Sequence, residues 1–306
     1  MNFSYTLKAC MKEKNRMNIS DIDFGTKDAR HAYTEGHEDE KTFQRVFIQP
    51  FGTEDSDFFS GKKCFVYGIK GSGKSAYIRH LEIILRNRAY TQFVYFSDTV
   101  RSDNSQNGLA VDDPQHLNNP DDYWRTFFSI IIANVLFERE RQNSKKFLTF
   151  IKEQVAPNKK SFVKTLLAKS PALERFSLNI SKSPNIEIEG TFEESMSTEQ
   201  FYQSSVTLLS ETKLQKPIYI FVDEFEFVYE NAEKHVKDVQ ISESLIRIVR
   251  DLNEEFRRAG ADIFLICAIR EELAKQVIGG DAAKIVEDKG TPIEWTAPAW
   301  SRLWTY

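Results

Sequence analysis

Residues 61–76 read Gly61-Lys62-Lys63-Cys64-Phe65-Val66-Tyr67-Gly68-Ile69-Lys70-Gly71-Ser72-Gly73-Lys74-Ser75-Ala76. The run Lys62 to Tyr67 reads as a short buried strand, and Ile78, Leu81 and Leu85 beyond the loop fall at helical spacing. Between them stands Gly68-x4-Gly73-Lys74-Ser75, the spacing with which a strand-to-helix loop holds phosphate. Glycines let successive backbone N–H groups turn inward as an anion nest, and the helix N-terminus adds its dipole. Lys74 then bridges the β- and γ-phosphates of a nucleoside triphosphate, while the Ser75 hydroxyl ligates Mg²⁺. Gly68, Gly71, Ser72, Gly73, Lys74 and Ser75 are thus the candidate nucleotide-binding residues.

A second piece lies far downstream. Pro217 introduces the apolar run Ile218-Tyr219-Ile220-Phe221-Val222, which ends at Asp223-Glu224. An Asp at the carboxyl end of a strand beside the loop strand can hold a Mg²⁺-bound water, and a Glu one residue later can orient or deprotonate the attacking water. Asp223 is therefore expected on the metal with Ser75, and Glu224 as the catalytic base. The next apolar run, Ile263 to Ile269, ends at Arg270, the only arginine between Ala259 and Ser301. Its guanidinium can stabilise charge on the γ-phosphate, or it can equally pair with Glu271 or Glu272 at the strand end.

The rest of the chain fits around these pieces. Thr91 to Ser97 reads as a strand, Asp98 to Asn118 as a long polar loop, and Asn119-Pro120 as the start of a helix to about Arg141 that is apolar nearly all round. Ser197-Thr198-Glu199-Gln200 is a capping box opening a helix to about Lys213, and an amphipathic helix carrying Leu245, Ile248, Val249, Leu252 and Phe256 stops at Gly260. Pro292 to Trp295 reads as a weaker last strand. Apolar strands alternating with helices predict an α/β fold with a mostly parallel sheet covered on both faces. Residues 1–42 read as a polar lead-in and 43–306 as the core. Within the core, 143–197 is expected to be an insertion of two short helices and a β-hairpin over Phe176–Ser181 and Ile186–Gly190.

Of the 306 residues, 41% are hydrophobic and 28% charged, and the net charge of −4 supplies no general attraction to nucleic acid or anionic membrane. The exception is segment 143–183, whose eight lysines and Arg175 stand against Glu153 and Glu174, a balance of +7. Interleaved Phe147, Phe150, Phe162 and Phe176 make it a candidate nucleic-acid surface, although solvated amphipathic helices show the same pattern. Cys10, Cys64 and Cys267 have no metal-ligand spacing, and His31, His37, His80, His116 and His235 form no metal or triad pattern. Reduced thiols and the lack of an apolar segment near Met1 predict a cytoplasmic protein that does not enter the membrane.

With Gly68 to Ala76, Val222-Asp223-Glu224, Asp23-Phe24-Gly25 and Ile269-Arg270 followed by Ile293-Glu294-Trp295 in place, the chain resembles a family of bacterial P-loop ATPases related to the AAA+, STAND and origin-recognition-like groups. That resemblance implies a P-loop NTPase three-layer sandwich of strand order 5-1-4-3-2, with the Ile263–Ile269 strand between the other two site strands. It implies ATP as the nucleotide and adds Ala76 to the binding loop. It also implies an ATP-driven switch that assembles with itself or a protein partner, in DNA-linked or antiphage defence settings. AAA+ relatives continue into a helical lid, whereas this sequence runs only eleven residues past Trp295, so the expectation is that a lid is absent, that a partner supplies it, or that this is a truncated version with weakened turnover. Two other functions use the same loop: a non-hydrolysing nucleotide-binding scaffold and a small-molecule kinase.

Overall fold

The loop strand is shorter than its apolar run. In the computed structural model, which describes residues 38–95, 119–155, 196–223, 232–272 and 281–294, strand β1 spans Phe65–Gly68. The chain divides into two compact units, Met1–Ile48 and Gln49–Tyr306. The first contains helix α1, Glu38–Val46. The polar lead-in is therefore helical at its end. Arg45 lies in the last turn of α1, the end where the helix dipole favours a positive charge.

In the second unit, a short helix α2 (Asp55–Phe59) precedes β1, and helix α3 (Lys74–Leu85) follows the loop. Then come β2 (Tyr90–Tyr95), α4 (Pro120–Arg139), α5 (Lys145–Val155), α6 (Thr198–Ser210) and β3 (Ile218–Asp223). The chain continues through α7 (Ala232–Ala259), β4 (Ile263–Arg270), α8 (Asp281–Lys289) and β5 (Gly290–Pro292).

Starts of helices follow the signals in the sequence. The Asn119 side chain accepts from Asp121 N–H (3.1 Å) with Pro120 next to it, and Ser197 and Gln200 form both halves of the capping box. The end of the sheet differs from expectation. The last strand is Gly290–Pro292 rather than 292–295, and Ile293 N–H extends its ladder by donating to Tyr67 O at 2.7 Å. Helix α8 carries no clear signal in the sequence, because a nine-residue helix beside a three-residue strand leaves little periodicity to read. The expected hairpin over 176–190 lies outside the described residues.

Every strand pairing is parallel, and the order is β2-β3-β4-β1-β5, which from the opposite edge reads 5-1-4-3-2. Strand β4 thus separates β1 from β3. Cys267 N–H donates to Cys64 O at 2.9 Å, so the two buried cysteines occupy neighbouring strand positions.

Helices cover both faces. Alternation places Ile218, Ile220, Val222, Leu265, Cys267 and Ile269 on one face, where they join Leu245, Val249, Leu252 and Phe256 of α7 in the main core. Helix α4 packs against α5, α6 and α7, which explains why every residue from Tyr123 to Leu136 except Arg125 is buried. Helix α3 crosses the other face. There Phe93 stacks on Phe221 (5.1 Å between centroids), Tyr219 on Phe264 (4.7 Å), and the Arg79 guanidinium lies 4.4 Å from the Phe93 ring centre.

Candidate functional site

Because the strands are all parallel, their carboxyl ends share one edge of the sheet. Gly68 ends β1 there, Asp223 ends β3 and Arg270 ends β4, whose Cα is the register partner of Gly68. Val222 pairs with Cys267, so Arg270 stands about two residues, roughly 7 Å, further toward that edge than Asp223. Period-two alternation sets Asp223 and Arg270 on the same face as Phe221 and Phe264, the face that α3 covers. The loop from β1 to α3 emerges toward that face.

Two glycines in the loop have left-handed backbone, Gly71 at φ +82° and Gly73 at φ +95°. Gly73 is also the N-cap of α3, and Tyr77 N–H donates to its carbonyl (2.9 Å) to close the first turn. A side chain would be strained at either position. Gly68 is glycine for a different reason: a Cβ there would stand 2.7 Å from Ser72 Oγ and 2.9 Å from the Ile293 carbonyl. The Ser72 N–H donates to Ile69 O at 3.2 Å, which folds the loop on itself. Lys74 Nζ reaches back over it to the carbonyls of Gly68 (3.0 Å) and Ile69 (2.9 Å). The ammonium is thereby held against the loop. Ser75 and Ala76 are half-buried on the first turn of α3, and Ile69 is 58% exposed at the loop surface.

Asp223 is only 4% exposed. A carboxylate at the end of β3, on the sheet edge where the loop also lies, has the hard oxygens that suit Mg²⁺, which binds one or two protein oxygens and fills its other positions with water and phosphate. Among the described residues no group of three or more His, Cys, Asp or Glu could hold a metal. Ser75 and Asp223 offer oxygens of the kind Mg²⁺ takes, one from the first turn of α3 and one from the end of β3. Glu224, expected to be the base, lies outside the described residues.

Behind the loop, Asp55 fastens α3 from the other side of β1 in sequence. Its carboxylate accepts from the Tyr77 hydroxyl (2.9 Å) and lies 3.2 Å from His80 Nε2. Burial, and next the Asp55 charge, push the Tyr77 phenol well up, so it remains a donor. Sequence reading misses this clamp. Its partners lie 22 and 25 residues away, and no local pattern joins them.

The basic segment behaves differently from the nucleic-acid expectation wherever it is described. Phe147 and Phe150 are fully buried, with Phe150 stacked on Phe201 at 5.4 Å, so neither presents a ring to a base. They sit on the inner stripe of α5, whereas Lys146 pairs outward with Glu211 (3.3 Å). Phe162 and Phe176 lie outside the described residues. Among the described residues no helix is long and apolar enough to cross a membrane. No protein-family model, curated protein or solved structure matches this chain.

Proposed function

We propose that the chain is a Mg²⁺-dependent ATPase of P-loop type whose nucleotide turnover drives a conformational switch. One observation carries this reading: the loop Gly68–Ser75, with its two left-handed glycines and folded-back lysine, shares a sheet edge and a sheet face with Asp223 and Arg270. The intervening strand β4 puts Arg270 next to Gly68 and leaves Asp223 one strand further on.

In this reading the loop N–H groups and the α3 dipole receive the phosphates, and Lys74 exchanges its two loop carbonyls for β- and γ-phosphate oxygens. Ser75 and Asp223 would hold Mg²⁺, which neutralises charge on the β- and γ-oxygens. Glu224, one residue beyond β3, takes the proton from the attacking water. Arg270 meets the charge that develops on the γ-phosphate.

The test uses two variants of the full chain. Lys74→Ala is expected to lose MgATP binding in calorimetry, and binding at the parent affinity would end the reading. Glu224→Gln is expected to keep binding while single-turnover hydrolysis falls by roughly 10²- to 10⁴-fold, the size of a lost general base. A parent that binds ATP without measurable turnover would be a scaffold. A Gln variant that turns over at the parent rate would point to phosphoryl transfer by another base.

A further inference from the structure

At the amino-terminal edge of the sheet, opposite the loop, lies a cavity of about 310 Å³. Its wall includes Cys64, which immediately precedes β1, and Lys289, which immediately precedes β5, and Cys64 N–H donates to Lys289 O at 2.8 Å. Arg250, Glu254 and Arg257 line it from one face of α7, two helical turns in all, and Lys62 from the turn before β1. Four residues of β1 separate Cys64 from the loop, roughly 13 Å of extended chain, so this space is not part of the nucleotide site.

The charge of the lining is unusual in a chain whose net charge is −4. Two arginines and two lysines line it from three separate segments, with Glu254 the one acidic residue in the wall. Glu254 has its own cation outside the wall, Arg258, at 3.2 Å. Asp57, Asp251 and Asp288 pair with Lys62 (2.9 Å), Arg250 (2.6 Å) and Lys289 (3.4 Å), and none of the three lines the cavity. Neutralising the carbonyl end of a helix accounts for Arg257 and Lys289, which sit in last turns, but not for Lys62 or Arg250.

We infer that this cavity is a second anion site, taking a diphosphate group. Its volume is at the lower end for a small-molecule pocket. A diphosphate carries two to three negative charges and would take the place of Asp57, Asp251 and Asp288 on three of these cations, and each arginine fork can meet two oxygens of one phosphate. The group can come from free pyrophosphate or from the tail of a nucleotide. Occupancy would tie α7, α8 and the turn before β1 together at the start of the two strands that end beside Gly68.

The experiment is titration calorimetry at low salt on the full chain carrying Lys74→Ala, so that the result does not depend on what the loop binds. Pyrophosphate is expected to bind saturably at one site per chain. Adding Arg250→Gln and Lys289→Gln is expected to weaken it by at least about tenfold, the loss of charge-assisted hydrogen bonds. Arg257→Gln, an exposed position, should weaken it too and serves if the double change disturbs folding as judged by thermal melting. ADP competing for the same site identifies a nucleotide tail as the source, and ADP that fails to compete identifies free diphosphate. The inference is overturned if pyrophosphate does not saturate in the Lys74→Ala chain, or if it binds equally well to the cavity variants.

Discussion

Gly68 and Gly71 lie in one loop and resist substitution for different physical reasons. At Gly68 the obstacle is space. Ser72 Oγ can rotate away from a new Cβ, but the Ile293 carbonyl belongs to the backbone that continues the β5 ladder to Tyr67. Gly68→Ala therefore has to push the end of β5 outward, at a cost of about 1–3 kcal/mol as in other overpacked sites. At Gly71 a Cβ would meet nothing within 4 Å, and the obstacle is φ +82°. Gly71→Ala is expected to cost about 1–2 kcal/mol, with Gly71→Asn milder because a short polar side chain tolerates left-handed backbone. Thermal melting of the three variants checks this. A Gly68→Ala protein as stable as the parent would contradict the close approach, and an Asn that does not improve on Ala would contradict the conformational account.

At the scale of elements, the Asn253 amide adds hydrogen bonds to the apolar packing of α7 on the sheet. Asn253 Nδ2 donates to Val249 O (2.8 Å) and Leu265 O (3.0 Å), and its Oδ1 accepts from Leu265 N–H (2.9 Å). Leu265 is two residues before Cys267, whose N–H faces β1, so its own peptide groups point to the same side of β4, below the start of β1 at Phe65. The asparagine stands in for the strand that is missing there. Asn253→Ala leaves two buried backbone groups without that partner, and is expected to destabilise by about 2–4 kcal/mol in urea unfolding. Asn253→Asp should fall short of the parent as well, since a carboxylate accepts from Leu265 N–H but cannot donate to Leu265 O. An alanine variant within about 0.5 kcal/mol of the parent would mean that the ladder finds another cap.

For the whole molecule, two carboxylates join layers on opposite faces of the sheet. Glu82 of α3 accepts from Arg86 (2.7 and 2.8 Å), Arg79 (3.2 Å) and Thr91 of β2 (3.1 Å). Asp121 of α4 accepts from Arg247 (2.7 Å) and Ser244 of α7. Burial raises both carboxyls, but Arg86 in the first case, and Arg247 with Ser244 in the second, more than reverse it, so both lie below their ordinary values. A carboxyl whose folded pKa is depressed contributes stability that is complete above its unfolded value, about 4, and is lost as pH falls through the folded value. Glu82→Gln is thus expected to be less stable than the parent by about 1–3 kcal/mol at pH 7, and the gap should narrow when the pH is lowered below the unfolded value, to about 3. Urea unfolding at the two pH values reads this directly. An equal gap at both would show that Glu82 contributes by shape rather than by charge.

What could be read from residues alone was whatever depends on near neighbours. The loop Gly68–Ser75 needs glycines, a lysine and a hydroxyl in one short run, the caps at Asn119 and Ser197 act over two or three residues, and the apolar strands declare themselves by composition. Such features are local because the backbone geometry that requires them is local. Tertiary structure decided the rest. It brought Arg270 into register with Gly68, seated Asp55 on Tyr77 and His80, capped Leu265 with Asn253, buried Phe147 and Phe150 in the core, and gathered Lys62, Arg250, Arg257 and Lys289 around one cavity. Each of these joins segments far apart in sequence, and in a parallel sheet the strand ends that share an edge are set by crossovers rather than by the residues between them.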